Sequence, residues 1–160
     1  MMPIVWDSKL DTGIEVIDSQ HRRIVGYIND LEVAKTKGDK ALVTDVIEQL
    51  IDYTQSHFGF EEAMLEDAGY KFLKPHQKVH ELFIKRVTSF TMRAAKGEDI
   101  AEELHSMLAK WLLNHIANED RDYAKLILEE GGNEPQTNQL APLGQTRPSG
   151  IAGLLKRFFR

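Results

Sequence analysis

The chain has 160 residues, no cysteine and a net charge of −5, the size of one domain with its own core plus a short appendage. Without cysteine there is no disulfide, thiolate metal site or thiol catalysis, so any metal must be held by His, Asp and Glu, a hard to borderline ligand set. The negative balance argues against general nucleic-acid binding, and the opening Met-Met-Pro-Ile-Val-Trp-Asp shows neither a basic start nor an apolar run, so no signal peptide or membrane span is expected and cytoplasm is the default location.

Residues 1–17 have no helical period, yet Ile4, Val5, Trp6, Ile14, Val16 and Ile17 make them too apolar for a free tail; an extended arm across the rest of the chain is expected. From Asp18, a candidate N-cap, His21, Ile24, Ile28 and Leu31 recur at helical spacing until Gly38 supplies a stop. Asp39 can cap a second helix, whose stripe runs through Val46, Leu50, Tyr53, His57, Glu61 and Met64 and which ends near Asp67-Ala-Gly69. Residues four apart share a helix face, so His57 and Glu61 aim an imidazole and a carboxylate at one point inside an apolar stripe, where a charged Glu needs a partner. Pro75 suits the first turn of a third helix carrying His76, His80, Phe83 and Val87, closed by Gly97. Asp99-Ile-Ala-Glu102 has the form of a capping box for a fourth helix, with Leu104, Leu108, Trp111 and His115 inward, running to about Glu130. His105 stands beside this stripe, roughly 15 Å of helix before His115, and is expected at the surface.

Four helices with short connections predict an all-α fold, an up-down-up-down antiparallel four-helix bundle over residues 1–130. In that arrangement the start of one helix is level with the end of its neighbour. His21 and the His76/His80 pair fall early in their helices, and His57/Glu61 and His115/Asp120 late, so all of them share one layer near one end. After Gly131-Gly132 the composition shifts to Asn, Gln, Thr, Pro and Gly through Gly150, which predicts a flexible linker over 131–150. Residues 131–160 hold Glu134 against Arg147, Lys156, Arg157 and Arg160, a balance of +3 that leaves −8 on residues 1–130. Within 151–160, Ile151, Leu154, Leu155, Phe158 and Phe159 lie on one side of a helical wheel and the cations elsewhere, a short basic amphipathic helix. Too short to be helical alone in water, it either folds back on the bundle or stays unordered, or docks on a membrane surface or a partner protein.

Five of the six histidines occupy the shared layer, and five imidazoles with two carboxylates cannot all satisfy one another without a cation. Two metals of about six ligands each ask for about twelve positions. Five imidazoles, two bridging carboxylates and one bridging solvent oxygen fill about eleven, leaving one open on the metal with fewer histidines. Iron fits a nitrogen-rich, carboxylate-bridged site, though manganese, cobalt and zinc also satisfy the softness rules. The second carboxylate is ambiguous on spacing: Glu119 is four residues from His115, whereas Asp120 at five lies about 140° past a full turn.

His21, His57-x3-Glu61, His76-x3-His80 and His115-x4-Asp120, with Ile17-Asp-Ser-Gln-His21 and Trp111-Leu-Leu-Asn-His-Ile116, resemble the seven-ligand signature of the hemerythrin family and its bacterial members, over residues 4 to about 130. The resemblance implies a di-iron centre with His76, His80 and His115 on one iron and His21 and His57 on the other. It assigns Glu61 and Asp120, not Glu119, as bridges beside an oxo or hydroxo group, with Asp120 reaching the site from the flank of the stripe or through a local π-type turn. It further implies reversible dioxygen binding at the iron held by two histidines, Leu112 lining the oxygen pocket, and a non-enzymatic carrier or store; a monomer is expected. The rival readings are a di-iron enzyme acting on peroxide, oxygen or nitric oxide, and an oxygen or redox sensor.

Overall fold

The computed structural model describes residues 2–131 and 151–159. Four long helices form the body: α1 (Glu15–Lys37), α2 (Lys40–Asp67), α3 (Leu73–Ala95) and α4 (Ala101–His115), the last continued through a widened turn, Ile116–Asp120, into α5 (Arg121–Gly131). Gly38 ends α1 at φ 66°, a left-handed conformation that suits glycine, and Asp39 at once caps α2, its Oδ1 accepting from the Leu42 N–H at 3.0 Å. So tight a connection forces α2 back along α1, and the short links at 68–72 and 96–100 repeat the reversal. The body is thus the up-down-up-down bundle, and among the described residues there is no strand.

Two apolar clusters flank the histidine layer. The larger gathers Ile24, Ile28, Leu31, Leu50, Phe83, Val87, Leu104 and Leu108 along the bundle. The smaller, at the end beyond the layer, holds Ile14, Ile17, Phe60, Met64, Leu65, Tyr123 and Ala124. The polar layer therefore lies across the bundle between two dry regions. The arm behaves as its apolar content requires. Ile4, Trp6 and Leu10 pack on the larger cluster, the Ile4 backbone pairs with the Asn29 amide at 2.8 and 2.9 Å, and Arg121 donates to the Lys9 carbonyl at 2.7 Å.

Three local expectations are corrected. Helix α1 starts at Glu15 with Ile14 at its cap, and Asp18 is not the cap. Burial of Ile14 and Ile17 extends the helix by a turn, and the buried Asp18 carboxylate accepts from the Thr12 N–H and Oγ1, both at 2.7 Å, and from the Gly13 N–H at 3.1 Å, fastening the arm. The capping box at Asp99 does not form. Ile100, 2% exposed, is drawn into the core and sets the start of α4 at Ala101, while Glu102 pairs with Lys35 of α1. His105 is not at the surface but 1% exposed, its Nδ1 3.8 Å from Glu32 of α1, because α4 buries a face wider than its leucine stripe.

Helix α6 (Ile151–Phe158) folds back on the bundle. Leu154, Leu155, Phe158 and Phe159 pack on the smaller cluster, and Lys156 and Arg157 are exposed. The linker expected over 131–150 lies, but for Gly131 at the end of α5, outside the described residues.

Candidate metal centre

His21 comes from the second turn of α1, His57 and Glu61 from successive turns of α2, His76 and His80 from the first turns of α3, and His115 from the last turn of α4. All six, with Asp120, are buried. Glu61, His76, His80 and His115 each offer one ligand atom within 4.8 Å of the others, and so do His21, His57 and Glu61. The two carboxylates span both sets. Glu61 Oε1 faces His76 Nε2 at 2.5 Å and His80 Nε2 at 3.3 Å, while its Oε2 faces His57 Nε2 at 3.5 Å. Asp120 Oδ1 faces His115 Nε2 at 3.0 Å and Oδ2 faces His21 Nε2 at 3.0 Å.

Asp120 reaches this point because the backbone from Ile116 to Asp120 opens into a single π-turn, which brings residues five apart into register. Glu119 is then carried to the outer side of His115, where its carboxylate pairs with Nδ1. Spacing on a regular α-helix would have put Glu119 at the centre.

Two carboxylates at 0% exposure are stable as anions only against nearby positive charge. Burial works to raise the Glu61 carboxyl, but hydrogen bonds from His76 and His80 outweigh it and hold it well below the usual range. Burial likewise works to lower His115, but Asp120, Glu119 and Glu61 push it up to about 10. Burial pushes His57 down to about 3, against the pull of Glu61, so that imidazole is neutral with a lone pair to offer. Both Asp120 oxygens and His21 Nε2 are buried without a hydrogen-bond partner. Two sets of imidazole nitrogens and two carboxylates converging on one buried layer, with both Asp120 oxygens unpartnered, suit cations of borderline hardness.

The imidazoles are held from behind. Gln20 Oε1 lies 2.7 Å from His57 Nδ1 and Glu62 Oε1 2.8 Å from His80 Nδ1, and Glu119 takes the same role at His115. Each contact fixes an N–H at Nδ1 and leaves Nε2 facing inward. The Tyr123 hydroxyl donates to Glu61 Oε2 at 2.7 Å; burial first, then Glu61, raises that phenol well above its ordinary pKa. Phe58 stacks on His80 at 3.7 Å and Trp111 on His115 at 4.4 Å. Leu112, one turn before His115, is 4% exposed within the larger cluster. Sequence reasoning missed Gln20, Glu62 and Tyr123 as supporting groups. Their one signal was position: next to His21, next to Glu61, and one turn past Asp120.

Comparison with known proteins agrees with this geometry. Residues 12–127 match the family described as Hemerythrin HHE cation binding domain. The chain is 46% identical over 162 residues to a bacteriohemerythrin of Stenotrophomonas maltophilia, covering 99% of both chains. To a bacteriohemerythrin of Pseudomonas aeruginosa it is 50% identical over 127 residues, 79% of this chain and 83% of the relative. A myohemerythrin of Theromyzon tessulatum is 29% identical over 76% of this chain and 91% of its own. A crystal structure of wild-type hemerythrin superposes with a TM-score of 0.73 at 23% identity, over 78% of this chain and 97% of the other, which speaks for the fold. A buried cluster of imidazoles bridged by two carboxylates, on a bundle matched across most of its length, places the chain in the hemerythrin family.

Proposed function

We propose that the chain binds dioxygen reversibly at a di-iron centre held by His21, His57, Glu61, His76, His80, His115 and Asp120, for storage or delivery of oxygen, and that it works as a monomer and not as an enzyme. The observation that carries this reading is that each carboxylate turns one oxygen to His21 or His57 and the other to the imidazoles of His76, His80 and His115. That is the placement a bridge between two cations requires. The names of the relatives, bacteriohemerythrin and myohemerythrin, support the same reading.

Iron held by these residues would supply the electrons that reversible dioxygen binding needs. The protein's part is to hold and exclude. Gln20, Glu62 and Glu119 fix ring orientation, so the imidazoles do not turn when the charge at the centre changes. Phe58, Trp111, Leu112 and Ile116 keep the large-cluster side dry, which protects against loss of a reactive oxygen species to water. Five imidazoles against two carboxylates give less anionic charge than the Glu-x-x-His sites of oxygen-activating bundles, so high oxidation states are less supported. The Tyr123 hydroxyl already donates its hydrogen to Glu61, at 2.7 Å.

The test is an anaerobic-to-aerobic optical spectrum with a metal count, followed by stopped-flow mixing of the reduced protein with oxygen. Two irons per chain and a long-lived oxygenated species that empties when oxygen is lowered are expected. One metal per chain would sink the di-iron reading, and rapid turnover of added reductant would make the protein an enzyme.

A further inference from the structure

Helix α6 is seated on α2 through a feature the metal centre does not need. An added Cβ at Gly59 would lie 2.7 Å from Phe158 Cε1, closer than such atoms approach, so only glycine lets the Phe158 ring rest on the helix backbone. Glycine weakens a helix interior, and here it sits between His57 and Glu61. Phe159 completes the seat, its ring 5.3 Å from Tyr53 and 6.1 Å from Phe60. Docking is nonetheless partial. Leu154, Leu155, Phe158 and Phe159 all remain half-buried, whereas Phe60 beneath them is fully buried.

The cations of α6 do not reach across to the bundle, and Arg157 lies over the ring of its own neighbour Phe158 at 5.1 Å. Lys156 and Arg157 are exposed, and among the described residues neither forms an ion pair with the bundle, although residues 1–130 carry −8. A helix meant only to clamp the bundle has no use for cations turned to solvent. An anionic lipid surface uses both faces at once, the phenylalanines and leucines at the acyl boundary and the cations among the headgroups, and it asks for no shape complement from so short a segment.

We propose that residues 151–160 are a reversible anchor for an anionic lipid surface, stowed on α2 at Gly59 when no such surface is at hand. One apolar face cannot serve both seats, so bundle and lipid compete for it and each weakens the other's hold. The chain between Gly131 and Ile151, up to about 60 Å if extended, is long enough for α6 to leave without disturbing the bundle. Because the stowed form must open first, the apparent affinity for lipid is reduced by the fraction open; a helix stowed about nine times in ten holds it down about tenfold.

The test is co-sedimentation of the full, iron-loaded chain with vesicles of phosphatidylglycerol and phosphatidylcholine, and of phosphatidylcholine alone, at low salt. Gly59→Leu fills the seat, and Tyr53→Ala removes the ring under Phe159 without inserting anything beside the metal ligands. Each is expected to raise binding to the anionic vesicles by up to about tenfold, and deletion of 151–160 to abolish it. Neutral vesicles should bind none of the variants. If neither substitution raises binding, or the truncated chain binds as well as the full one, or neutral vesicles bind equally, the anchor is refuted. Absence of lipid binding by every variant overturns it in favour of an acidic protein partner.

Discussion

Replacing Tyr123 by Phe removes one hydroxyl from a fully buried side chain and leaves the ring packed 5.5 Å from His76 and 6.3 Å from Tyr70. The hydroxyl donates to Glu61 Oε2 at 2.7 Å, and a hydrogen bond to an ionised acceptor contributes about 1.5–3 kcal/mol. Without it Glu61 Oε2 faces only His57 Nε2, at 3.5 Å, at the limit of a hydrogen bond, while the carboxylate stays buried. That loss corresponds to about 10- to 150-fold in an equilibrium constant, close to the roughly 10- to 100-fold by which outer partners of metal ligands affect affinity. Tyr123→Phe should therefore give up iron to a competing chelator at about 10- to 100-fold lower concentration. It should also melt roughly 3–10 °C lower. Tyr70→Phe, whose hydroxyl has no such acceptor among the described contacts, serves as the control and should match the unaltered chain in both assays. Tyr123→Phe with an unchanged chelator midpoint and melting temperature would refute the reasoning.

Two further substitutions separate the carboxylates of the π-turn. Asp120→Asn removes a buried anion that faces His21 and His115 and should empty the centre, whereas Glu119→Gln keeps an oxygen for His115 Nδ1–H and should retain iron with no more than about a tenfold loss of affinity; metal analysis after gel filtration decides, and the reverse pattern would return the bridge to Glu119. His105 gives a pH dependence apart from the centre. Burial lowers its pKa in the folded chain against the pull of Glu32, so the unfolded chain binds the proton more readily, and the stability held above the unfolded value near 6.5 is lost as pH falls below it. Thermal melts from pH 7.5 to 5 should show a smaller acid loss for His105→Gln than for the unaltered chain, and parallel curves would show that His105 carries none of it. Removing iron should lower the melting temperature of the bundle, because a layer of buried imidazoles and carboxylates is left without its cations; equal melts with and without chelator would contradict that.

The helices and their inward faces were legible because His21, His57, His76, His80 and His115 sit on stripes that also carry Ile28, Leu50, Phe83 and Leu108, and periodicity is a local signal. Where the sequence misled, a tertiary contact had outweighed a local one. Asp18 has the chemistry of a cap, but burying Ile14 and Ile17 places the helix start ahead of it, and its carboxylate serves the arm instead. Asp99 loses the start of α4 to Ile100 for the same reason. His105 lies off the leucine stripe, and only the approach of α1 across that face buries it. Gly59 lies between His57 and Glu61 with no signal of its own in the sequence; its use appears only when Phe158, about a hundred residues later in the chain, comes to lie on it.

The π-turn carries the sharpest test of how the second carboxylate reaches the centre. Five residues, Ile116–Asp120, occupy the turn, one more than a regular α-helix would place there. Ala117 and Asn118 are exposed, and the Asn118 side chain bonds only within its own helix, to the Asn114 carbonyl at 2.9 Å. Deleting Asn118 should let the turn close into ordinary α-helix. Asp120 would then stand four residues after His115 and keep its face, and Tyr123 and Ala124 would keep their seats in the smaller cluster, because a five-residue π-turn and a four-residue α-turn both bring the chain about once around. The shortened chain should hold iron and melt no lower than the parent. Deleting exposed Lys110 from the regular part of α4 rotates everything beyond it by about 100° and should empty the centre. If loss of Asn118 empties the centre while the bundle still folds, register alone does not explain the turn, and the widened backbone itself sets how Asp120 meets the metals.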